Sequence, residues 1–146
     1  MLRLRNLVQS DVGFVTQFCM LEEWDKIPQD IERYIECEPD GCFIAEVDGR
    51  AAGHVFSISY GHVGWIGLLI VHPYYRRKGL GAELMKKAIE YLHRLGTNII
   101  QLEALPNSVD FHKKLGFREE FESLRFKTTI NKVPCMSSSK GVEIKK

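Results

Sequence analysis

Apolar residues recur along this chain with two different periods, and the switch between them marks its elements. Alternating and continuous apolar stretches from Cys42 to Val47 and from Ala51 to Tyr60 predict two strands joined through Asp48-Gly49, a strong hairpin signal. Gly61 supplies the next turn. Val63 to Val71 is apolar almost throughout, as expected of a central strand covered on both faces. From Leu80 the period changes: Leu80, Leu84, Met85, Ala88, Ile89, Leu92 and Leu95 follow helical spacing, and Gly96 ends the helix. Ahead of this block, Leu2, Leu4 and Asn6 predict a short first strand. Ser10-Asp11 then caps a helix whose apolar face holds Val12, Val15, Phe18 and Cys19. A second helix starts near Pro28, carries Ile31, Tyr34 and Ile35, and must stop by Glu38 because Pro39 disfavours a helical residue before it.

After the long helix, Ile99 to Ala104 reads as a strand parallel to Val63–Val71, because a helical crossover returns the chain in the same direction. Asn107 to Leu115 forms a short helix ended by Gly116. Phe117 to Phe121 and Leu124 to Ile130 read as a closing antiparallel pair. One domain therefore spans residues 1–130, the size at which a single core suffices. Residues 131–146 differ in composition, with Pro134, three consecutive serines and a basic end. They read as a C-terminal tail, with Gly141-Val142-Glu143-Ile144 as an added strand in the alternative reading.

The sharpest feature is the junction Val71-His72-Pro73-Tyr74-Tyr75-Arg76-Arg77-Lys78-Gly79-Leu80-Gly81-Ala82. An apolar strand breaks at a proline, turns through basic and glycine residues and becomes a helix at once. Gly79 and Gly81 let the backbone approach a ligand, and the first amides of a helix lack intrahelical partners and carry the positive end of its dipole. The sequence thus predicts an anion cradle suited to a diphosphate. The dinucleotide fingerprint does not fit, since it needs a third glycine and lies beside a first strand. A phosphate loop ending Gly-Lys-Ser/Thr is also missing.

The spacing Arg76-x-x-Gly79-x-Gly81 after a strand ending Val71-His72-Pro73 resembles the acetyl-CoA signature of the Gcn5-related N-acetyltransferases (GNAT superfamily). Asn107-Ser108-Val109-Asp110-Phe111-His112-Lys113-Lys114-Leu115-Gly116-Phe117 resembles that family's second signature, with His112 where a tyrosine is expected. Pro39 to Ala45, Gly49, Gly53 and Gly64-Trp65-Ile66-Gly67 resemble the branch whose acetyltransferase domain often precedes a second domain. The resemblance covers roughly residues 2 to 130. It implies an α/β GNAT fold: a central mixed, mostly antiparallel sheet with a splayed parallel pair, flanked by about four helices. It also implies transfer of an acetyl group from the acetyl-CoA thioester directly to a primary amine, without a metal.

On that resemblance, Leu69, Ile70 and Val71 offer main-chain groups to the pantetheine arm, while Arg76, Arg77, Lys78, Gly79, Leu80, Gly81 and Ala82 hold the diphosphate. Asn107 bonds the pantetheine arm, although a helix-cap role accounts equally well for an asparagine there. Lys113 and Lys114 stand near the 3′-phosphate or simply face solvent. His112 replaces the tyrosine that protonates the departing sulfur. A histidine can do this when protonated, which an ordinary pKa near 6.5 allows for only a minority at neutral pH. Glu103 resembles an acidic residue facing the acceptor amine. His54, His62 and His72 are weaker alternatives as a base. Trp24, Trp65 and Tyr60 are candidates for the acceptor pocket, with core packing the competing account of the tryptophans. Alternation puts His54, Phe56, Ile58 and Tyr60 on one side of their strand, and Trp65, Gly67 and Leu69 on one side of theirs.

Composition narrows the partners. Twenty Lys plus Arg against nineteen Asp plus Glu leave a formal charge of +1, so no global field favours nucleic acid. No apolar run reaches the 18 or so residues of a membrane span. The four cysteines show no zinc-type pairing, and a reducing cytoplasm is the simpler setting. The acceptor is expected to be a small-molecule amine, or less readily an amino-terminal amine. A longer acyl donor, or a CoA-sensing or interaction module without turnover, are the rival readings, and the resemblance makes a homodimer plausible.

Overall fold

The computed structural model describes residues 1–129. Five strands form one sheet in the order β1-β2-β3-β4-β5, where β1 is Leu2–Asn6, β2 Cys42–Val47, β3 Arg50–Tyr60, β4 Val63–Val71 and β5 Ile99–Gln101. The first four pair antiparallel in sequence order, and β5 pairs parallel to β4. Among the described residues four α-helices flank the sheet: α1 Val12–Leu21, α2 Pro28–Cys37, α3 Leu80–Arg94 and α4 Val109–Lys114. This is the architecture expected from the sequence.

The two faces carry separate cores. α3 lays Leu80, Leu84, Met85, Ala88 and Leu92 on Phe43, Ala45, Ala52, Val55 and Ile66. On the opposite face α1 and α2 bring Val15, Phe18, Cys19 and Ile31 against Ile44, Phe56 and Ile70. Full burial of such side chains contributes roughly 1.5–3 kcal/mol each, so the sheet is clamped from both sides. The buried Cys19 and Cys42 belong to the second core, and burial pushes their thiols up to about 11 and about 12. They are inert packing groups at neutral pH.

Ile66 faces α3 while Ile70, four residues on, faces α1 and α2. A regular strand cannot do this, because its side chains alternate with period two. The ladder explains it: His54 pairs with Ile70 and Phe56 with Gly67, so Leu68 and Leu69 together oppose Val55. This β-bulge flips the faces beyond it and bends the strand. Leu68 adopts φ +49° within it, a left-handed conformation that costs a leucine on the order of 1–3 kcal/mol. The expectation that Leu69 shares a side with Trp65 is corrected accordingly. Leu69 packs on the α3 core, whereas Gly67 stays beside the Trp65 indole, 3.3 Å from where its Cβ would be.

The parallel pairing is brief. β5 meets β4 only over Val63–Trp65 and Ile99–Gln101, so the strand ends three residues before the expected Ala104. Beyond Trp65 the bulged β4 turns away, and Leu102 to Leu105 have no ladder partner to hold them as strand. The closing antiparallel pair is also absent among the described residues. Residues 117–129 contain no strand, and Phe121, Leu124 and Phe126 are 79%, 78% and 89% exposed. Ile130, the tail from 131 to 146 and its possible added strand lie outside the described residues.

Candidate active site

The divergence of β4 from β5 opens a slot. Its near wall is the outer edge of β4 from Ile66 to Val71, its far wall runs from Leu102 to Leu105, and Asn107, Phe111 and His112 from the α4 segment close one side. Buried Met85 of α3 forms part of its floor. The cavity measures about 250 Å³. Backbone groups on the outer edge of Ile66–Val71 lack a neighbouring strand, and any extended polar chain in the slot can pair with them.

At the end of β4 a 3₁₀ turn over Pro73–Tyr75 leads into the loop before α3. Arg77 (φ +61°) and Gly79 (φ +83°) are both left-handed there. The amides of Arg76 and Ala82 are already used, donating to Pro73 and Gly79 at 3.2 and 3.0 Å. Those of Arg77, Lys78, Gly79, Leu80 and Gly81 donate to no backbone carbonyl. Five free donors thus sit together at the start of a 15-residue helix, an arrangement suited to an anion through both the N–H groups and the helix dipole. A Cβ on Gly81 would come to 3.4 Å from the Phe111 ring of α4, an ordinary contact, so the loop lies against α4 at this point.

The basic side chains behave differently from one another. Arg76 donates from Nε to the Val71 carbonyl at 2.8 Å and forms an ion pair with Glu22 at the end of α1. Its guanidinium is therefore engaged across the mouth of the slot. Lys78 lies over the Tyr74 ring, 4.6 Å from its centroid, a cation–π arrangement that leaves the ammonium accessible. Lys113 pairs with Glu119 at 2.9 Å. Asn107 sits inside a 3₁₀ turn and caps nothing: Ser108 is the residue before α4, and no side chain caps that helix. Capping therefore does not account for Asn107, and its amide lines the slot.

His112 lines the same cavity, with its ring 5.0 Å from Phe111 and 6.0 Å from Phe117. Its Nδ1 is buried and has no hydrogen-bond partner among the described residues. Burial lowers its pKa below 6.5, which favours the neutral ring and runs against the protonated acid that the sequence suggested. Glu103 also lines the slot and accepts a hydrogen bond from Ser123 Oγ at 3.4 Å. Trp24 and Glu22 reach the slot from the α1–α2 connection. Trp65 is outside the lining, on the paired half of β4, and Tyr60 is 70% exposed at the β3–β4 turn. The structure thus brings together Trp24, Leu69, Ile70, Val71, Arg76, Glu103, Asn107 and His112. It adds Glu22 and Leu68, which nothing in the local pattern marks.

Directly behind the bulge lies His54, fully buried and paired through its backbone with Ile70. Neither ring nitrogen forms a hydrogen bond of normal geometry among the described residues. Leaving such a group unsatisfied costs on the order of 1–3 kcal/mol. Loss of hydration drives its pKa down to about 3, against a smaller opposing influence of the Leu68 backbone. The folded state thus resists protonation that the unfolded chain accepts near pH 6.5. Between those values the unfolded chain binds more protons, so stability is complete above pH 6.5 and falls on acidification at up to about 1.4 kcal/mol per pH unit. Urea titrations from pH 7 to 4 should show the midpoint falling, and a His54→Phe variant should lose much of that dependence. An unchanged slope in the variant would place the acid sensitivity elsewhere.

A forked sheet whose open strand edge runs into a free-amide helix start is the layout that the resemblance to the Gcn5-related N-acetyltransferases implies. The chain belongs to the Acetyltransferase (GNAT) family, which matches it over residues 6–117. An uncharacterized N-acetyltransferase of Methanocaldococcus jannaschii is 34% identical over 93 residues, covering 57% of this chain and 41% of that one. The chain spans less than two thirds of the length of the first curated relatives it matches. Among solved structures, a Trypanosoma brucei acetyltransferase superposes with a TM-score of 0.72 at 24% identity, covering 88% of this chain and all of that one. A Clostridium acetobutylicum protein described as a predicted acetyltransferase with acetyl-CoA superposes at 0.70 and 18% identity, covering 87% and 96%. At these identities the structures establish the fold alone. Among the described residues, no helix is long and apolar enough to cross a membrane.

Proposed function

We propose that this chain transfers an acetyl group from acetyl-CoA to a primary amine. The observation that carries this reading is the continuity of the unpaired β4 edge, from Ile66 to Ile70, with the five free amides from Arg77 to Gly81. A pantetheine arm can pair with the first while its diphosphate rests on the second, and Asn107 offers a further amide to the arm. The Clostridium acetobutylicum protein, described with acetyl-CoA, has the same fold.

In the reaction the amine nitrogen attacks the thioester carbon, a C–N bond forms, the C–S bond breaks, and the amine gives up a proton as the thiolate gains one. Main-chain N–H groups of the bulged segment stabilise negative charge building on the carbonyl oxygen, an effect worth on the order of 3 kcal/mol per well-aimed donor. Glu103 faces the acceptor side, attracts the ammonium form and takes its proton directly or through water. Trp24 supplies an apolar wall for the acceptor. His112, neutral at physiological pH, orients the sulfur by hydrogen bonding, and the proton reaches the thiolate from water.

The lowered His112 pKa favours one rival: a CoA-sensing or interaction module that keeps the cradle without turnover. Release of free thiol from acetyl-CoA across a panel of small amines and peptide amino termini separates the two. Turnover with any amine supports the enzyme, whereas saturable CoA binding without release, and a gain of release in His112→Tyr, establishes the sensor. Within the enzyme reading, Glu103→Gln should raise the Michaelis constant for the amine about tenfold and leave that for acetyl-CoA unchanged. Identical kinetics across several amines would remove Glu103 from the site.

A further inference from the structure

His54 is the one buried side chain among the described residues with two unpartnered ring nitrogens, and it stands opposite the one bulge in β4. Its neighbours argue against a packing role alone. Phe18 and Phe56 lie with ring centroids 5.9 and 5.7 Å away, and a third phenylalanine would fill the same place without burying two polar atoms. Leu68, across the ladder, holds a left-handed φ of +49° and lines the slot together with Leu69. The Leu68 main chain already lies near enough to the imidazole to offset a small part of its loss of hydration, yet no hydrogen bond of normal geometry is formed. A strained backbone beside an unsatisfied donor, at the point where the strand edge opens, is a pairing of two costs that one function can explain.

We infer that His54 is a positioning residue for acyl transfer: with the acyl donor in the slot, one ring nitrogen donates to the Leu68 carbonyl and fixes the bulge so that the Leu68–Leu69 amides face the thioester oxygen. His54 never touches the substrate. It acts through the peptide groups whose direction the bulge sets, on the α1–α2 face of the sheet and away from the slot. This rests on the acetyl-CoA reading above and extends it to a residue outside the cavity.

The test compares wild type with His54→Phe, which keeps ring packing and removes the donor, and His54→Gln, which restores an N–H. For each, the infrared stretch of ¹³C-carbonyl acetyl-CoA bound to the protein reports polarisation of the thioester, and steady-state kinetics report turnover. The expected result is a carbonyl band shifted to lower frequency in wild type and in His54→Gln, and returned toward its free-solution position in His54→Phe. kcat should fall 10- to 100-fold in His54→Phe with the Michaelis constant for acetyl-CoA within twofold, and recover at least partly in His54→Gln. An unshifted band difference between wild type and His54→Phe, or equal losses in both variants, overturns the role of His54 and leaves the acetyl-CoA reading intact. Failure of wild type to bind acetyl-CoA overturns both. Should His54→Phe not fold, ring-¹⁵N spectra of wild type decide the matter. A ring N–H proton that moves downfield when acetyl-CoA is added supports the role, and ring resonances unchanged by acetyl-CoA refute it.

Discussion

Gly81→Asp should leave the protein folded and weaken coenzyme A binding more than a hundredfold. Gly81 is the second residue of α3 and one of the five with an uncommitted amide. A carboxylate in the first turn of a helix favours the helix dipole, so the substitution does not weaken α3 through electrostatics. The new Cβ meets Phe111 at 3.4 Å and Val71 at 3.7 Å, contacts that small movements of the ring accommodate. What changes is the field at the cradle. Two like charges about 4 Å apart repel by roughly 4 kcal/mol at the effective dielectric of a protein surface, and a diphosphate brings more than one. A hundredfold loss corresponds to about 2.7 kcal/mol, well within that reach. Calorimetric titration with CoA, alongside a Gly81→Ala control that keeps most of its affinity, checks the result. Retained binding in the aspartate variant would move the diphosphate away from this loop.

Gly53→Ala should destabilise the chain by about 3 kcal/mol and weaken acetyl-CoA binding with it. Gly53 pairs with Val71 on β4 and with Ala45 on β2. An added Cβ would lie 2.7 Å from the Ile70 carbonyl oxygen and 3.2 Å from the Val71 Cα. These are backbone atoms of a central strand, with ladders on one side and the slot on the other, so relief requires β4 to shift as a whole. Overpacking of this kind typically costs 1–3 kcal/mol and more when backbone must move. The same shift moves the edge on which the pantetheine arm would lie. Guanidinium unfolding gives the stability, and CoA titration of the folded fraction gives the coupling. A variant as stable as wild type would mean that β4 yields more easily than its packing implies.

Much of the fold could be read from the chain because its signals are local. The bounds of β4 follow from Gly61 before it and Pro73 after it, and α2 ends at Cys37, one residue before the limit set by Pro39. The glycine-rich helix start was legible for the same reason: left-handed Gly79 and the unpaired first turn depend on neighbours in sequence. The bulge was hidden. A continuous apolar run has no visible period, so the change of face between Ile66 and Ile70 leaves no mark, and Leu68 is not a residue that advertises a positive φ. The pairing of Glu22 with Arg76 joins positions far apart in the chain, which no pattern of spacing reveals. The closing strands failed for a third reason. Alternation at Leu124 and Phe126 signals a strand only if an edge is available, and past Gln101 the sheet has forked.

That fork divides the molecule by how freely it can vary. A carrier gripped through peptide groups would make few demands on side-chain identity at residues 69–71, so most apolar replacements there should preserve recognition of the shared part of the proposed donor. The loops that reach the other end, from Glu22 to Asp25 and from Leu102 to Leu105, contribute through their side chains and stand outside every ladder. On the acetyl-CoA reading, changes of acceptor can therefore accumulate in those two loops without disturbing the handle by which the donor would be held.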